Sequence, residues 1–341
     1  MSGTSRGRPP TSKDVARVAG VAQSTVSYVM SGKRPISEKT RRLVQDAIDE
    51  LTYQPNAGAR ALASHRTNII ALVVPFRSSV SAHGLMAFAE EIALASRAHD
   101  HDVLLVTADE GPEGLRRVAG RALCDALVVM EVATHDARTE VVRSLSLPTM
   151  FIGLPADAED LHCIDFDFEA GAELLLRALH AGGNTEVHVL GWGADTEERD
   201  INYVPRVRRR VHDVAAELDL DLHWHVSPHG AAGATDFVAA VAAAAAARPP
   251  GLLLLHNLSA AETALRNAGW RPGVDVDVVA LAPDADVEAL EVPLTSVSTQ
   301  PRDVSRQAMD WLFALLEHDA PGEQRRVPGV LTDRGTVRPR P

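Results

Sequence analysis

The residues best suited to chemistry with a partner lie near the N-terminus, on a short predicted helix. Its inward side carries Val26 and Val29, and its outward side carries four polar residues, Gln23, Ser24, Ser27 and Tyr28. Glutamine and serine side chains can hydrogen-bond to the edges of DNA bases. A polar helix of this kind, placed after a first helix and a tight turn, fits the major groove of DNA.

The elements that must hold this helix carry signals of their own. Thr11 or Ser12 can cap a first helix, with Asp14 in the first turn, where the helix dipole favours an acid. Gly20 then allows a sharp turn. The first helix has an apolar stripe of Val15, Ala16, Val18 and Ala19, and a third helix after Ser37 has one of Leu43, Val44, Ala47, Ile48 and Leu51. Three short helices around one small core predict a helix-turn-helix headpiece.

The charge distribution supports a nucleic-acid partner for this end of the chain. Residues 1–66 contain 11 Lys and Arg against 5 Asp and Glu, a net charge of +6. The whole chain carries −12, so residues 67–341 carry −18. A basic head on an acidic body is expected when one end meets phosphates and the other does not.

The chain from Thr67 onward alternates strand-like apolar runs with helical patterns. The run 69–74 is continuously apolar, as expected of a parallel strand buried on both faces. Further strands are predicted at 103–106, 126–130, 148–153, 187–190, 251–255 and 276–281, and helices at 87–98, 170–179, 206–218, 260–268 and 304–316. The predicted fold class is therefore an all-α headpiece followed by an α/β body of two doubly wound halves.

Composition argues against several other classes of protein. The two cysteines, Cys124 and Cys163, predict no disulfide framework and suit a reducing cytoplasm. No secretory signal is expected, and the apolar run 238–247 is too short for a membrane helix. No nucleophile elbow is visible, so an enzyme is not expected. No cofactor is predicted, and no metal site either, because His223, His225 and His229 have no Cys or carboxylate at a recognisable spacing.

The segment from Thr11 to Ser64 resembles the DNA-binding headpiece of the lactose-repressor/galactose-repressor (LacI/GalR) family of transcription regulators. The similarity includes the family's hinge pattern, here Tyr53-Gln54-Pro55-Asn56 followed by Arg60-Ala61-Leu62-Ala63. The body resembles the family's ligand-binding core, which is similar to periplasmic sugar-binding proteins. The resemblance thus implies a sequence-specific DNA-binding regulator, most readily a repressor, located in the cytoplasm with the nucleoid.

The resemblance also implies a division of the chain. Residues 1–54 form the headpiece, 55–66 the hinge helix and linker, and 67–341 the effector-binding and dimerisation core. Within the core, one subdomain takes residues 67–165 and 297–325, and the other takes 166–296 and 326–341. The chain would cross between them three times, near 164–167, 294–301 and 325–330.

Contacts with DNA are carried over residue by residue. Gln23, Ser24 and Tyr28 match the family's base-reading positions. The family usually has an arginine where Tyr28 stands, so either an apolar contact with a thymine methyl or a phosphate contact through the hydroxyl is open. The positions expected at the DNA backbone are Thr11, Thr25, Ser27, Lys33, Arg34, Tyr53 and Asn56.

The hinge implies a dimer. In the family this segment folds on DNA, and Leu62 matches a leucine wedged into the minor groove, beside Ala59, Arg60 and Ala63. Two hinges meet at one operator centre, so the expected unit is a homodimer on a pseudo-palindromic site.

The effector is less well specified. Candidate cleft residues are Phe76, Ser79, Phe168, Arg206 and Asn257. This chain has His256-Asn257 where the family usually has Asn-Asp, and Phe168 replaces a common asparagine. A small molecule, whether a sugar or a related metabolite, is the expected effector. The alternatives are the same DNA-binding role without a small-molecule effector and, more remotely, a solute-binding protein.

Overall fold

The structure is a computed structural model that describes residues 10–31, 34–53, 66–74, 82–244 and 249–338. The chain divides into two compact units, residues 1–67 and residues 68–341. The first is the headpiece and the second is the body.

The headpiece contains three helices, each with a recognisable start or end. Helix α1 spans Ser12–Ala19, α2 spans Gln23–Ser31 and α3 spans Glu38–Glu50. Thr11 precedes α1, and the Asp14 carboxylate accepts hydrogen bonds from the Thr11 backbone N–H at 2.9 Å and from its hydroxyl at 2.7 Å. Gly20 ends α1 with φ of 66°, a left-handed conformation that favours glycine. Ser37 caps α3 by accepting from the Thr40 N–H.

The headpiece core is narrower than the sequence pattern predicted. Val15, Val26 and Val44 are fully buried, with Ala16, Ala47 and Tyr53 packed around them. Val18 and Leu43, expected on the apolar stripes, are instead exposed at 37% and 44%. So small a three-helix unit buries one line of side chains per helix, and positions beside that line stay at the surface.

The body contains two six-stranded sheets. The first has the strand order β11-β5-β4-β3-β1-β2 and is parallel throughout. Its strands are β1 (Ile69–Val74), β2 (Asp102–Thr107), β3 (Ala126–Val129), β4 (Thr149–Ile152), β5 (His162–Phe166) and β11 (Glu323–Val327). The continuous apolar runs of β1, β3 and β4 are buried as expected for central parallel strands.

The second sheet repeats this plan. Its order is β12-β10-β9-β8-β6-β7, parallel except for the antiparallel pair of β10 and β12. Its strands are β6 (Glu186–Gly191), β7 (Asp221–Val226), β8 (Gly251–Leu254), β9 (Val278–Leu281), β10 (Thr295–Val297) and β12 (Leu331–Thr332). The fold class predicted from sequence, a helical headpiece with two parallel α/β halves, is confirmed.

Helices connect the strands of both sheets. They are α4 (Ala82–Ala98), α5 (Gly111–Gly120), α6 (Arg138–Ser144), α7 (Phe168–Ala181), α8 (Ala194–Glu198), α9 (Tyr203–Glu217), α10 (Ala231–Ala244), α11 (Leu258–Asn267), α12 (Asp284–Glu288) and α13 (Pro301–Glu317). Among the residues described, none of these helices has the length and apolar character needed to cross a membrane.

The chain passes from one sheet to the other at three places that lie side by side. These are the junctions after β5, after β10 and after β11, and β11 runs to Val327, two residues past the boundary at 325 expected above. The Asp167 N–H donates to the Val327 carbonyl at 2.9 Å, and the Gln300 side-chain amide donates to the Pro328 carbonyl at 2.7 Å. The three connections are therefore tied to one another.

Candidate DNA-binding face and effector cavity

Helix α2 of the headpiece turns a polar face to solvent. Gln23, Ser24 and Ser27 are exposed, Thr25 and Tyr28 are partly exposed, and Val26 is buried in the headpiece core. The side chains predicted to read bases thus share one accessible surface, because Val26 fixes the rotation of the helix. A hydrogen bond of 2.9 Å from the Gln23 amide to the Ser12 hydroxyl joins the N-termini of α1 and α2 on this surface.

Tyr28 has a neighbour that sequence spacing did not suggest. The Arg34 guanidinium lies over the Tyr28 ring, 5.2 Å from its centre. This cation–π contact positions the ring and the exposed charge together. The two residues therefore present one aromatic and cationic surface next to Ser24 and Ser27.

Two residues predicted to contact the DNA backbone have structural roles here. Both hydrogen-bond donors of Thr11 are used by Asp14, so neither is available to a phosphate oxygen in this arrangement. The Tyr53 ring is 9% exposed and belongs to the headpiece core. The remaining predicted DNA contacts lie outside the described residues, namely Lys33, Asn56, Ala59, Arg60, Leu62 and Ala63.

The body contains a cavity of about 640 Å³ between the carboxyl ends of its two sheets. A cavity at this edge of parallel α/β sheets is the usual place for a small ligand. Its lining includes Met130 after β3, Ile152 on β4, Trp192 after β6 and Leu281 on β9. Both halves of the body therefore contribute to one site.

Aromatic rings form one wall of this cavity. Phe168 stacks on Tyr203 with ring centres 4.4 Å apart, and Trp192 meets Tyr203 edge-on at 5.2 Å. Phe166 contacts Phe168 edge-on at 5.1 Å. Burial raises the pKa of the Tyr203 hydroxyl to about 12, so this wall carries no charge at neutral pH. Such a surface suits the apolar face of a ring.

A buried acid lies at the base of the same wall. Burial raises the pKa of Asp165 to about 7, although the Arg206 guanidinium, 3.1 Å away, favours its charged form. Arg206 also lies 3.3 Å from Glu169. Asp165 lines the cavity, and Arg206, which is not among the lining residues, pairs with this acid. The predicted contact of Arg206 with effector stays a prediction.

His256 and Asn257, which stand where the family usually has Asn-Asp, make different kinds of contact. The Asn257 side chain accepts from the Gly230 N–H at 3.0 Å and donates to the Pro228 carbonyl at 2.9 Å, so it anchors the loop after β7. His256 hydrogen-bonds through Nε2 to the Gly191 carbonyl at 2.7 Å, and its buried Nδ1 has no hydrogen-bond partner. Burial lowers the pKa of His256 to about 4, with neighbouring His229 adding to the effect.

Polar contacts tie the two halves of the body together beside the cavity. Buried Asn202 donates through its side chain to the Val132 carbonyl at 2.8 Å, and the Thr134 N–H donates to the Asp200 carbonyl at 2.6 Å. Arg199 pairs with Glu131 across the same boundary. Contacts of this kind would have to rearrange in any change of angle between the halves.

Sequence reasoning placed Phe168 and Asn257 at the cavity but missed other lining residues. Phe76 and Ser79 lie outside the described residues. Asp165, Trp192, Tyr203 and His256 were not predicted. A usable signal was present for Trp192, a large aromatic residue between two glycines at the end of a buried strand. Tyr203 carried a weaker signal, as an aromatic residue at the start of a helix.

Comparison with known proteins gives an independent identification. Residues 11–56 match the family described as bacterial regulatory proteins, lacI family, and residues 176–337 match the periplasmic binding protein-like domain. Catabolite control protein A of Staphylococcus xylosus is 25% identical over 332 residues, covering 95% of this chain and 98% of that protein. The HTH-type transcriptional regulator AglR of Rhizobium meliloti is 26% identical over 353 residues, covering 98% and 96%.

Solved structures show the same fold over the full length. The Lac repressor dimer bound to operator and the anti-inducer ONPF has a TM-score of 0.83 at 21% identity, covering 97% of this chain and 99% of that one. The complex of the transcriptional regulator CelR with cellobiose has a TM-score of 0.63 at 20% identity, covering 96% and 99%. With a matching headpiece, a matching body and relatives along almost its whole length, the chain combines a helix-turn-helix headpiece of the lacI family of bacterial regulatory proteins with a periplasmic binding protein-like body.

Proposed function

We propose that this regulator is a repressor that binds a pseudo-palindromic operator as a homodimer. The observation that carries the proposal is the polar face of α2, where Gln23, Ser24 and Tyr28 lie accessible on a helix fixed by buried Val26. We assign residues 1–54 to the headpiece, 55–66 to a hinge and 67–341 to the core. Such a protein works in the cytoplasm, where its operator lies.

A footprint of the full-length protein on genomic DNA tests this proposal. We expect protection of a site with two related half-sites. Leu62→Ala should weaken binding to that site far more than binding to unrelated DNA, because a minor-groove wedge contributes only where the duplex bends at the operator centre. Equal losses on both kinds of DNA would refute the wedge. Protection without two-fold symmetry would refute the dimeric mode.

We further propose that a small molecule bound in the body cavity controls operator affinity. Support comes from the cavity's size and position, and from the two similar solved structures, one with a bound anti-inducer and one with bound cellobiose. Control requires that the molecule bind one arrangement of the two halves more tightly than the other.

The lining favours an effector with an apolar face and hydrogen-bond donors. The stacked rings of Phe168 and Tyr203 suit an apolar face. His256 lies in the lining, and its Nδ1, buried and unpartnered in this structure, would accept from a hydroxyl or amino group once the ring turns toward the ligand, which removes the cost of an unsatisfied acceptor. A sugar or a related metabolite has both features.

Thermal shift and calorimetry against a metabolite panel test the effector proposal. We expect one compound to raise the melting temperature and change operator affinity. We expect Phe168→Ala to weaken the binding of that compound. The second candidate is a regulator of the same DNA-binding role controlled by a protein partner or by none. Tight operator binding with no response to any compound would favour that candidate. An absence of operator binding beside tight ligand binding would favour a solute-binding protein.

A further inference from the structure

Three histidines and two acids meet on one face of the second sheet, away from the cavity. Strands β6 and β7 pair so that Glu186 lies opposite Asp221, His188 opposite His223 and Leu190 opposite His225. Because side chains alternate along a strand, these residues all project from the same face. The spacing of histidines along β7 alone predicted no metal site, because Glu186 and His188 come from the neighbouring strand β6.

The distances within this cluster are those of a metal-binding group. His188 Nε2 lies 2.9 Å from the Glu186 carboxylate, and His223 Nε2 lies 3.7 Å from the same oxygen. One ligand atom each from Glu186, His188 and His223 lies within 4.8 Å of the other two. Ligands of a tetrahedral zinc ion lie about 3.4 Å apart, so small side-chain shifts would bring all three into coordination.

A supporting contact fixes the orientation of the buried histidine. His188 Nδ1 lies 2.8 Å from His225 Nε2, and the His225 ring packs edge-on against Phe237 of α10. Metal-bound histidines usually donate their second ring N–H to a neighbouring acceptor, and an unprotonated His225 Nε2 can take that role here. Without a metal ion, the 2.9 Å hydrogen bond to the Glu186 carboxylate requires the proton of His188 on Nε2, and Nδ1 then accepts from His225. A metal ion at Nε2 would replace that proton, and Nδ1–H would then donate to His225 Nε2.

The exposure of the cluster and its negative charge also suit a cation. The His223 side chain is 44% exposed and that of Glu186 34%, while that of His188 is 3% exposed. Asp221, 3.4 Å from His223, adds a second negative charge. Strand β7 is an edge strand of its sheet, so a dissolved ion has direct access.

We propose that Glu186, His188 and His223 form a binding site for a divalent transition metal of the zinc type, with water completing the coordination. Two imidazoles and one carboxylate are a ligand set that zinc accepts. His188 of this site precedes Trp192 of the cavity by four residues, which is about 13 Å at about 3.3 Å per residue. This is a second small-ligand site, distinct from the effector cavity.

Titration of the full-length protein, freed of tags and of metal, tests the site. We expect one Zn²⁺ per chain by calorimetry, a Co²⁺ spectrum typical of a tetrahedral nitrogen and oxygen site, and a Zn²⁺-dependent rise in melting temperature. His223→Ala and Glu186→Gln should each weaken binding by about 100-fold or more. His225→Leu should keep the stoichiometry and weaken binding by about 10–100-fold, as expected of a positioning residue.

His318→Ala is the matched control, because His318 is exposed and lies outside the cluster. It should bind Zn²⁺ like the unmodified protein. Equal Zn²⁺ uptake by the unmodified protein and the double variant of Glu186 and His223 would overturn the proposal. No uptake by the unmodified protein would also overturn it and leave the cluster as a hydrogen-bonded network.

Discussion

Tyr28 is the predicted base-reading residue at which this chain differs from the family's usual arginine. Its ring lies under the Arg34 guanidinium, 5.2 Å away, on the same face as Ser24. An arginine at this position would pair with guanine through two hydrogen bonds, whereas tyrosine offers a ring and one hydroxyl. The ring favours apolar contact with a thymine methyl, and the hydroxyl favours a phosphate.

We predict that Tyr28→Arg moves the operator preference toward guanine at one symmetric position, by about 1–3 kcal/mol per half-site. Binding-site selection with both proteins measures this change. Tyr28→Phe separates the two uses of tyrosine, since it removes a phosphate contact and keeps a methyl contact. An unchanged preference in Tyr28→Arg would show that this position does not read bases.

His256 gives the body a predictable response to acid. Its pKa is about 4 in the folded protein against an ordinary value of 6.5, so the unfolded chain binds the proton more readily between these values. The contribution of neutral His256 to folding stability is therefore fully present above pH 6.5 and is lost as the pH falls toward 4. Folding stability should drop by about 2 kcal/mol between pH 7.5 and 5 from this residue alone.

Urea denaturation at the two pH values measures the effect. Tryptophan fluorescence reports on the body, because all four tryptophans lie there. His256→Gln keeps a donor for the Gly191 carbonyl and removes the titration, so its stability should change less between pH 7.5 and 5. The same pH dependence in both proteins would contradict the prediction.

The residues of the cavity show where sequence reasoning ends. Phe168 was a candidate because it stands where the family commonly has asparagine, and it lines the cavity. Arg206 was predicted to touch effector, but it contacts Asp165 and Glu169 outside the lining. The sequence shows which residue types begin a helix, but it does not show which of their side chains reach the cavity.

Among the elements, strands with a run of apolar residues were predictable, including the edge strand β2, whereas short or polar strands were not. Strand β1 was predicted at its observed bounds because both of its faces are buried and its residues are all apolar. Strand β7, with the sequence DLHWHV, lies at a sheet edge and alternates polar and apolar residues. Strands β11 and β12 are also edge strands, and they acquire their structure by pairing with distant segments.

The three crossings are packed so closely that one glycine is required between them. A Cβ atom at Gly329 would lie 2.6 Å from Val297 Cγ1 and 2.9 Å from Phe166 Cζ, so all three connections meet at this point. Gly329→Val should destabilise the body by about 1–3 kcal/mol through overpacking. Urea denaturation followed by tryptophan fluorescence measures this loss.

Val330→Ala is the control for the neighbouring position, because Val330 is 71% exposed and its truncation should have little effect. Its unfolding midpoint should match that of the unmodified protein. Gly329→Val with unchanged stability would mean that the crossings separate easily, which would contradict the close packing described above.

For the molecule as a whole, three exposed apolar residues mark the surface where we expect the second copy of the proposed dimer to bind. Met86 and Leu94 on α4 are 62% and 57% exposed, and Leu105 on the edge strand β2 is 53% exposed. All three belong to the first sheet and its covering helix. Large exposed apolar side chains are a common mark of a protein interface, which favours this helix and strand.

We predict that Leu94→Glu converts the dimer into monomers and lowers operator affinity by about 100-fold or more. A charge in an apolar interface is costly to bury, and a monomer loses the gain from binding two half-sites at once. Sedimentation and operator titration at matched concentrations measure both effects. Val292→Glu is the control, since Val292 is exposed and lies in the loop before β10. If Leu94→Glu stays dimeric, this helix is not the interface; if its monomers bind operator as tightly as the unmodified protein, operator recognition does not require two copies.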